Sequence, residues 1–166
     1  NEANVTEKNI TGVLTINAVG GNSATVQLTH VNLPMGKGAG TEDDPYDIIK
    51  AWRLANALGN TGETLADVYV QGTVSRINEL STQYGNATYY ITDEKGTLDF
   101  YVYRGKNVGN TNFTSSSQLK VGDKVLLFGS LANYKGTSPQ LGTGNYIVKF
   151  FDASEDEGDD DPTTIV

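Results

Sequence analysis

Cysteine is missing from all 166 residues, which excludes disulfides, thiolate metal sites and a cysteine nucleophile. Histidine occurs once, at His30. It stands between Thr29 and Val31 in an alternating stretch and reads as a strand-surface residue. A single imidazole leaves no Ser-His-Asp triad and no multi-histidine metal site. No apolar run approaches the roughly 20 residues that a membrane-spanning helix requires. A Gly-x-Ser-x-Gly elbow and a phosphate-binding loop pattern are missing too. Asp43 with Asp44, and Asp93 with Glu94, are neighbouring acids that suit caps and turns rather than convergent carboxylate chemistry. These absences lead to an expectation of no catalysis, no metal and no cofactor. The first residue is Asn1 rather than methionine, so the chain reads as a mature or trimmed product whose signal or lipid anchor, if any, preceded it.

Positive charge is scarce at one end only. The net charge is −8, and seven acids with no base lie from Asp152 to Asp161, whereas eleven acids meet ten bases between Thr41 and Phe151. Residues 152–166 therefore read as an acidic, solvated linker or tail, with Pro162 favouring an extended exit. The acids from Asp156 to Asp161 lack the alternating ligands around a central glycine that a calcium loop needs. Non-specific affinity for a polyanion comes mainly from phosphate neutralisation by Lys and Arg. A nearly neutral body with an acidic tail argues against a general nucleic-acid binder.

What is plentiful is glycine, with 19 residues, and tyrosine, with nine, among many Thr, Val and Asn. This composition favours short strands and tight turns, and a mainly all-β fold. Residues 1–39 read as a polar lead-in, a β-hairpin and a linker. Apolar residues alternate on both sides of Gly20-Gly21-Asn22-Ser23, a hairpin signal, and Pro34 to Gly40 supplies the linker. Residues 40–151 begin with one amphipathic helix. Asp44 is its expected cap, Pro45 its first residue, and Ile48, Ile49, Trp52, Leu54, Ala55 and Leu58 its apolar stripe.

Five strand candidates follow, at 68–77, 88–92, 98–103, 124–131 and 146–151. Gly72 takes an inward position on the first, and the phase slips after Arg76, which predicts a bulge. Residues 104–118 are polar, with room for one short helical turn near Ser115. A long curved strand, a hairpin, an irregular connection and two more strands predict a five-stranded Greek-key barrel of the OB class.

Four stretches also resemble a known family: Gly40-Thr41-Glu42-Asp43-Asp44-Pro45-Tyr46, Val68-Tyr69-Val70-Gln71-Gly72-Thr73-Val74, Asn86-Ala87-Thr88-Tyr89-Tyr90-Ile91-Thr92-Asp93, and Leu119-Lys120-Val121-Gly122-Asp123. The chain resembles the small OB-fold lipoproteins and modules on the cell surface of gut Bacteroidetes, a family mostly of unknown function. The resemblance implies an OB barrel on an exported, outer-surface protein and implies no activity. The N-terminal hairpin and the acidic tail lie outside it.

Side chains alternate along a strand, so Leu98, Phe100 and Val102 facing inward put Tyr101 and Tyr103 outside. Tyr89 and Ile91 inward leave Tyr90 on the same outer face. In OB domains this face, with the loops after strand one and between strands four and five, carries the ligand. Tyr84 and Tyr134 are placed to rim it, with Arg104, Lys106 and Lys135 nearby. Tyrosine faces stack on sugar rings or bases, yet exposed tyrosines also pair across strands and bind nothing. The expected function is a non-catalytic extracellular binding module whose partner is a surface glycan or another surface protein. One alternative is a structural or assembly domain of a surface complex, and another is a single-stranded nucleic-acid binder.

Overall fold

Val68, Val70, Gly72 and Val74 alternate with more polar residues, and that stretch forms the middle of the longest strand among the described residues. A computed structural model of the chain describes residues 10–17, 23–30 and 35–152, the first two stretches for their backbone alone. The contacts divide the chain into two units, Asn1–Met35 and Gly36–Val166. In the first, β1 (Ile10–Asn17) and β2 (Ser23–His30) form an antiparallel pair, running from Ile10 opposite His30 to Asn17 opposite Ser23. The expected lead-in, the hairpin turn and the acidic tail beyond Asp152 lie outside the described residues.

The second unit contains α1 (Ile48–Ala57) and six strands: β3 (Thr64–Ser81), β4 (Asn86–Thr92), β5 (Asp99–Gly105), β6 (Lys124–Tyr134), β7 (Ser138–Leu141) and β8 (Tyr146–Phe150). The sheet order is β3-β4-β5-β7-β6-β8, and β3 also pairs with β6. That extra pairing closes five strands into a ring. β3 can serve two neighbours because it is long: residues Thr64 to Thr73 pair with β6, and Thr73 to Ser81 pair with β4. Register shifts between Val74 and Arg76 and between Ile77 and Glu79 bend it between the two.

The ring closes through β7, whose residues the sequence pattern predicts as loop. β7 runs parallel to β5 and antiparallel to β6. The expected last strand, β8, continues along the same edge of β6 and meets the end of β5 at a Lys106–Tyr146 bridge. The expected turn after residue 114 is a 3-10 turn, Ser116–Gln118, closed by a capping box from Ser115 to Gln118.

The helix begins later than the Asp44–Pro45 signal suggests. Tyr46 is held extended against β3, its N–H donating to Tyr69 and its carbonyl accepting from Gln71, so winding starts only at Ile48. Asp47 is the N-cap, accepting from Lys50 N–H at 2.8 Å and, through its other oxygen, from Lys37 N–H at 2.8 Å. Asp44 instead accepts at its carbonyl from Ala39, Gly40 and Thr41. Residues 37–40, read as linker, are thereby bonded to this unit.

Ile48, Ala51 and Ala55 of α1 share one core with Val70, Val74, Tyr89, Ile91, Phe100, Val102, Phe113, Leu127, Leu131, Leu141 and Ile147. Gly72 lets the helix approach: a Cβ there would lie 2.6 Å from Ile48 Cδ1 and 3.2 Å from Ile91 Cβ. Among the described residues no helix is long and apolar enough to cross a membrane.

Candidate functional site

Inward Tyr89, Ile91, Phe100 and Val102 are fully buried, and their neighbours Tyr90, Tyr101 and Tyr103 lie half-buried on the outer face. Tyr90 is the register partner of Tyr101, with ring centroids 4.9 Å apart and planes tilted by 50°. Tyr101 and Tyr103, two residues apart on β5, have centroids 6.3 Å apart with a 31° tilt. The three rings form a twisted ladder across two strands.

A guanidinium stands at each end of that ladder. Arg76, opposite Tyr90 on β3, places its guanidinium 4.2 Å from the Tyr90 centroid, and Arg104 lies 5.2 Å from that of Tyr103. Arg76 is not among the expected site residues: the sequence pattern places the bulge after it, whereas the register shift falls before it, between Val74 and Arg76. Neither guanidinium makes a side-chain hydrogen bond or ion pair among the described residues.

The backbone under Arg104 is irregular. Ala87 faces Gly105 and Tyr89 faces Val102, so β5 carries one extra residue at this point. Arg104 sits in the left-handed region with φ 50°, and its N–H donates to Thr88 Oγ1 at 3.3 Å. Behind the bulge, Asn145 donates from Nδ2 to the Tyr103 carbonyl at 2.9 Å and to the Gly142 carbonyl at 2.6 Å. Asn145 fits there because residue 105 is glycine: a Cβ at Gly105 would lie 2.4 Å from its Oδ1.

Burial, the neighbouring Tyr90 and Tyr103 and, more weakly, Glu79 raise the pKa of Tyr101, while the Arg104 cation pulls it down. Asp99, at the start of the same strand, accepts from Ser75 Oγ at 2.8 Å. The face therefore mixes guanidinium and carboxylate rather than showing one sign of charge.

The remaining expected residues are placed elsewhere. Lys106 donates from Nζ to the Tyr84 carbonyl at 3.1 Å and to Asn112 Oδ1 at 2.7 Å, so its ammonium pins the loop that carries the exposed Tyr84 ring. Tyr134 is exposed at the β6–β7 turn with the Lys135 ammonium 5.2 Å from its centroid, and no described contact joins this pair to the ladder. Gln140 of β7 is the register partner of Tyr101 and extends the row; it was not anticipated because β7 was not.

A second aromatic row was also not anticipated. Tyr69, Phe128 and Tyr146 stand side by side on β3, β6 and β8, with centroids 4.8 and 5.6 Å apart. These strands were recognised individually, but their pairing was needed to bring the rings together. Among the described residues no group of three or more His, Asp or Glu is placed to hold a metal.

No family model matches the chain. No curated protein matches it either. A solved structure, "OBody AM1L10 bound to hen egg-white lysozyme", is similar at 14% identity and a TM-score of 0.37, covering 61% of this chain and 86% of that one.

Proposed function

We propose that the chain is a non-catalytic binding module with an OB-type barrel, displayed on an exported protein, that holds an oligosaccharide against the outer face of β4 and β5. The carrying observation is the ladder Arg76, Tyr90, Tyr101, Tyr103, Arg104 on one outer face. The OB reading is supported by the five-membered ring and by a long first ring strand that serves two neighbours. Export rests on the sequence resemblance.

The C–H faces of a sugar pack on an aromatic ring, and its hydroxyls accept from guanidinium N–H groups. Linked sugar rings turn relative to one another, so tilted tyrosines suit successive residues of an oligosaccharide. A single-stranded nucleic acid would draw its affinity from free cations. Here Lys106 is already occupied by the protein, and carboxylates share the face. Catalysis is disfavoured by the chemistry present: among the described residues, the group that Ser75 Oγ donates to is the exposed carboxylate of Asp99, a weak base.

Tyr101→Ala and Tyr103→Ala, tested on a glycan array beside the parent protein, are each expected to weaken every hit about fivefold or more. That is the loss expected if each ring contributes about 1–3 kcal/mol, as a stacked base does. Unchanged binding of every hit would remove this face from the account. The assembly alternative rests on the hairpin, because a lone two-stranded sheet is marginal in water. It predicts that deleting residues 1–35 dissolves a complex while the barrel unit, Gly36 onward, stays folded.

A further inference from the structure

Arg104 occupies a conformation that costs an L-residue stability and costs glycine almost none. Its guanidinium lies over the Tyr103 ring and makes no side-chain hydrogen bond or ion pair among the described residues that would offset that cost. Backbone strain and bulges recur where a side chain must be aimed at a ligand. Thr88 and Asn145 hold the two sides of this bulge, so its shape is set by the fold.

Resting on the ligand face proposed above, we infer that Arg104 reads a carboxylate, and that the oligosaccharide carries an acidic sugar of the uronic type. A guanidinium is a planar fork whose paired donors match the two oxygens of a carboxylate. The fork lies over the Tyr103 ring, 5.2 Å from its centroid, and its donors have no hydrogen-bond partner among the described residues. A sugar ring resting on Tyr103 or Tyr101 would bring its C6 carboxylate to this end of the ladder.

A densely charged polymer fits less well. The chain carries −8, and Glu79 acts on Tyr101 from beside the ladder. The expected ligand has an isolated acidic sugar among neutral ones, read by Arg104, with Arg76 free to serve hydroxyls at the far end.

The test uses the full chain on a panel of oligosaccharides that each carry one uronic acid, printed beside their carboxyl-reduced counterparts. Glucuronosyl-xylotriose and its reduced form would serve for solution titration. The expected result is at least a tenfold preference for an acidic member over its reduced partner. Arg104→Gly should abolish that preference while leaving the melting temperature unchanged or higher. Arg104→Lys, which keeps both charge and strain, should lose most of the preference because it lacks the fork.

Equal binding of acid and reduced forms, or no binding to any acidic member, overturns the inference. So does an acid preference that survives Arg104→Gly while Tyr101→Ala abolishes binding, which leaves the face itself standing. Binding indifferent to both substitutions overturns the face as well. A single-stranded oligonucleotide that outcompetes every acidic glycan overturns the ligand class.

Discussion

The hydroxyl of Tyr89 lies inside the barrel with no hydrogen-bond partner among the described residues, and burial pushes its pKa far above the ordinary value of 10.0. A buried hydroxyl without a partner costs more than a missing one. Tyr89→Phe is therefore expected to stabilise the fold by about 1 kcal/mol, read as a higher denaturant midpoint; a clear loss would contradict the placement of this side chain. Alkali gives an independent reading. A raised folded pKa means that the protonated form is favoured in the native state, so this stabilisation is complete below pH 10.0. It is lost as pH rises from there toward the folded pKa. The parent protein should weaken more steeply above pH 10 than Tyr89→Phe does. Tyr101 shifts in the same direction and remains in both proteins, so the variant still weakens in alkali. At this scale the site was legible where the two-residue period of a strand held, as for Tyr90, Tyr101 and Tyr103. The sequence places Arg104 near that face, but its left-handed dihedral angle is not legible there. Arg76 is not foreseen because the sequence pattern puts the slip after it, whereas the register shift falls between Val74 and Arg76.

Two elements carry the closure of the ring. β7 was hidden in the sequence because Pro139 lacks a donor and Gly136 and Gly142 flank it, so four residues with little β-propensity read as loop. Its strand character comes from pairing with β5 and β6 rather than from local preference. α1 was legible from its apolar stripe, but its start was displaced because pairing of Tyr46 with β3 prevailed over a proline signal. The helix approaches the barrel at Gly72. Gly72→Val would force two methyl groups against Ile48 and Ile91, and such overpacking costs about 1–3 kcal/mol. If the contact with Ile48 is responsible, adding Ile48→Ala to Gly72→Val should cost less than Ile48→Ala does alone, as a double-mutant cycle in denaturant would reveal. Strict additivity would mean that the helix does not rest on this glycine.

For the molecule as a whole, charge and topology point to one face. The net charge of −8 opposes general polyanion binding, while the ring gathers Arg76, three tyrosines and Arg104 from three adjacent strands. A competing aromatic row, Tyr69, Phe128 and Tyr146, offers a built-in comparison on other strands of the same barrel. The most direct measurement is a backbone amide and side-chain NMR titration of the whole chain with the strongest array hit. Shifts are expected to concentrate at Arg76, Tyr90, Tyr101, Tyr103 and Arg104, including the guanidinium resonances, with Tyr69, Phe128 and Tyr146 unmoved. Shifts centred on the second row, or spread without focus over the barrel, would contradict it.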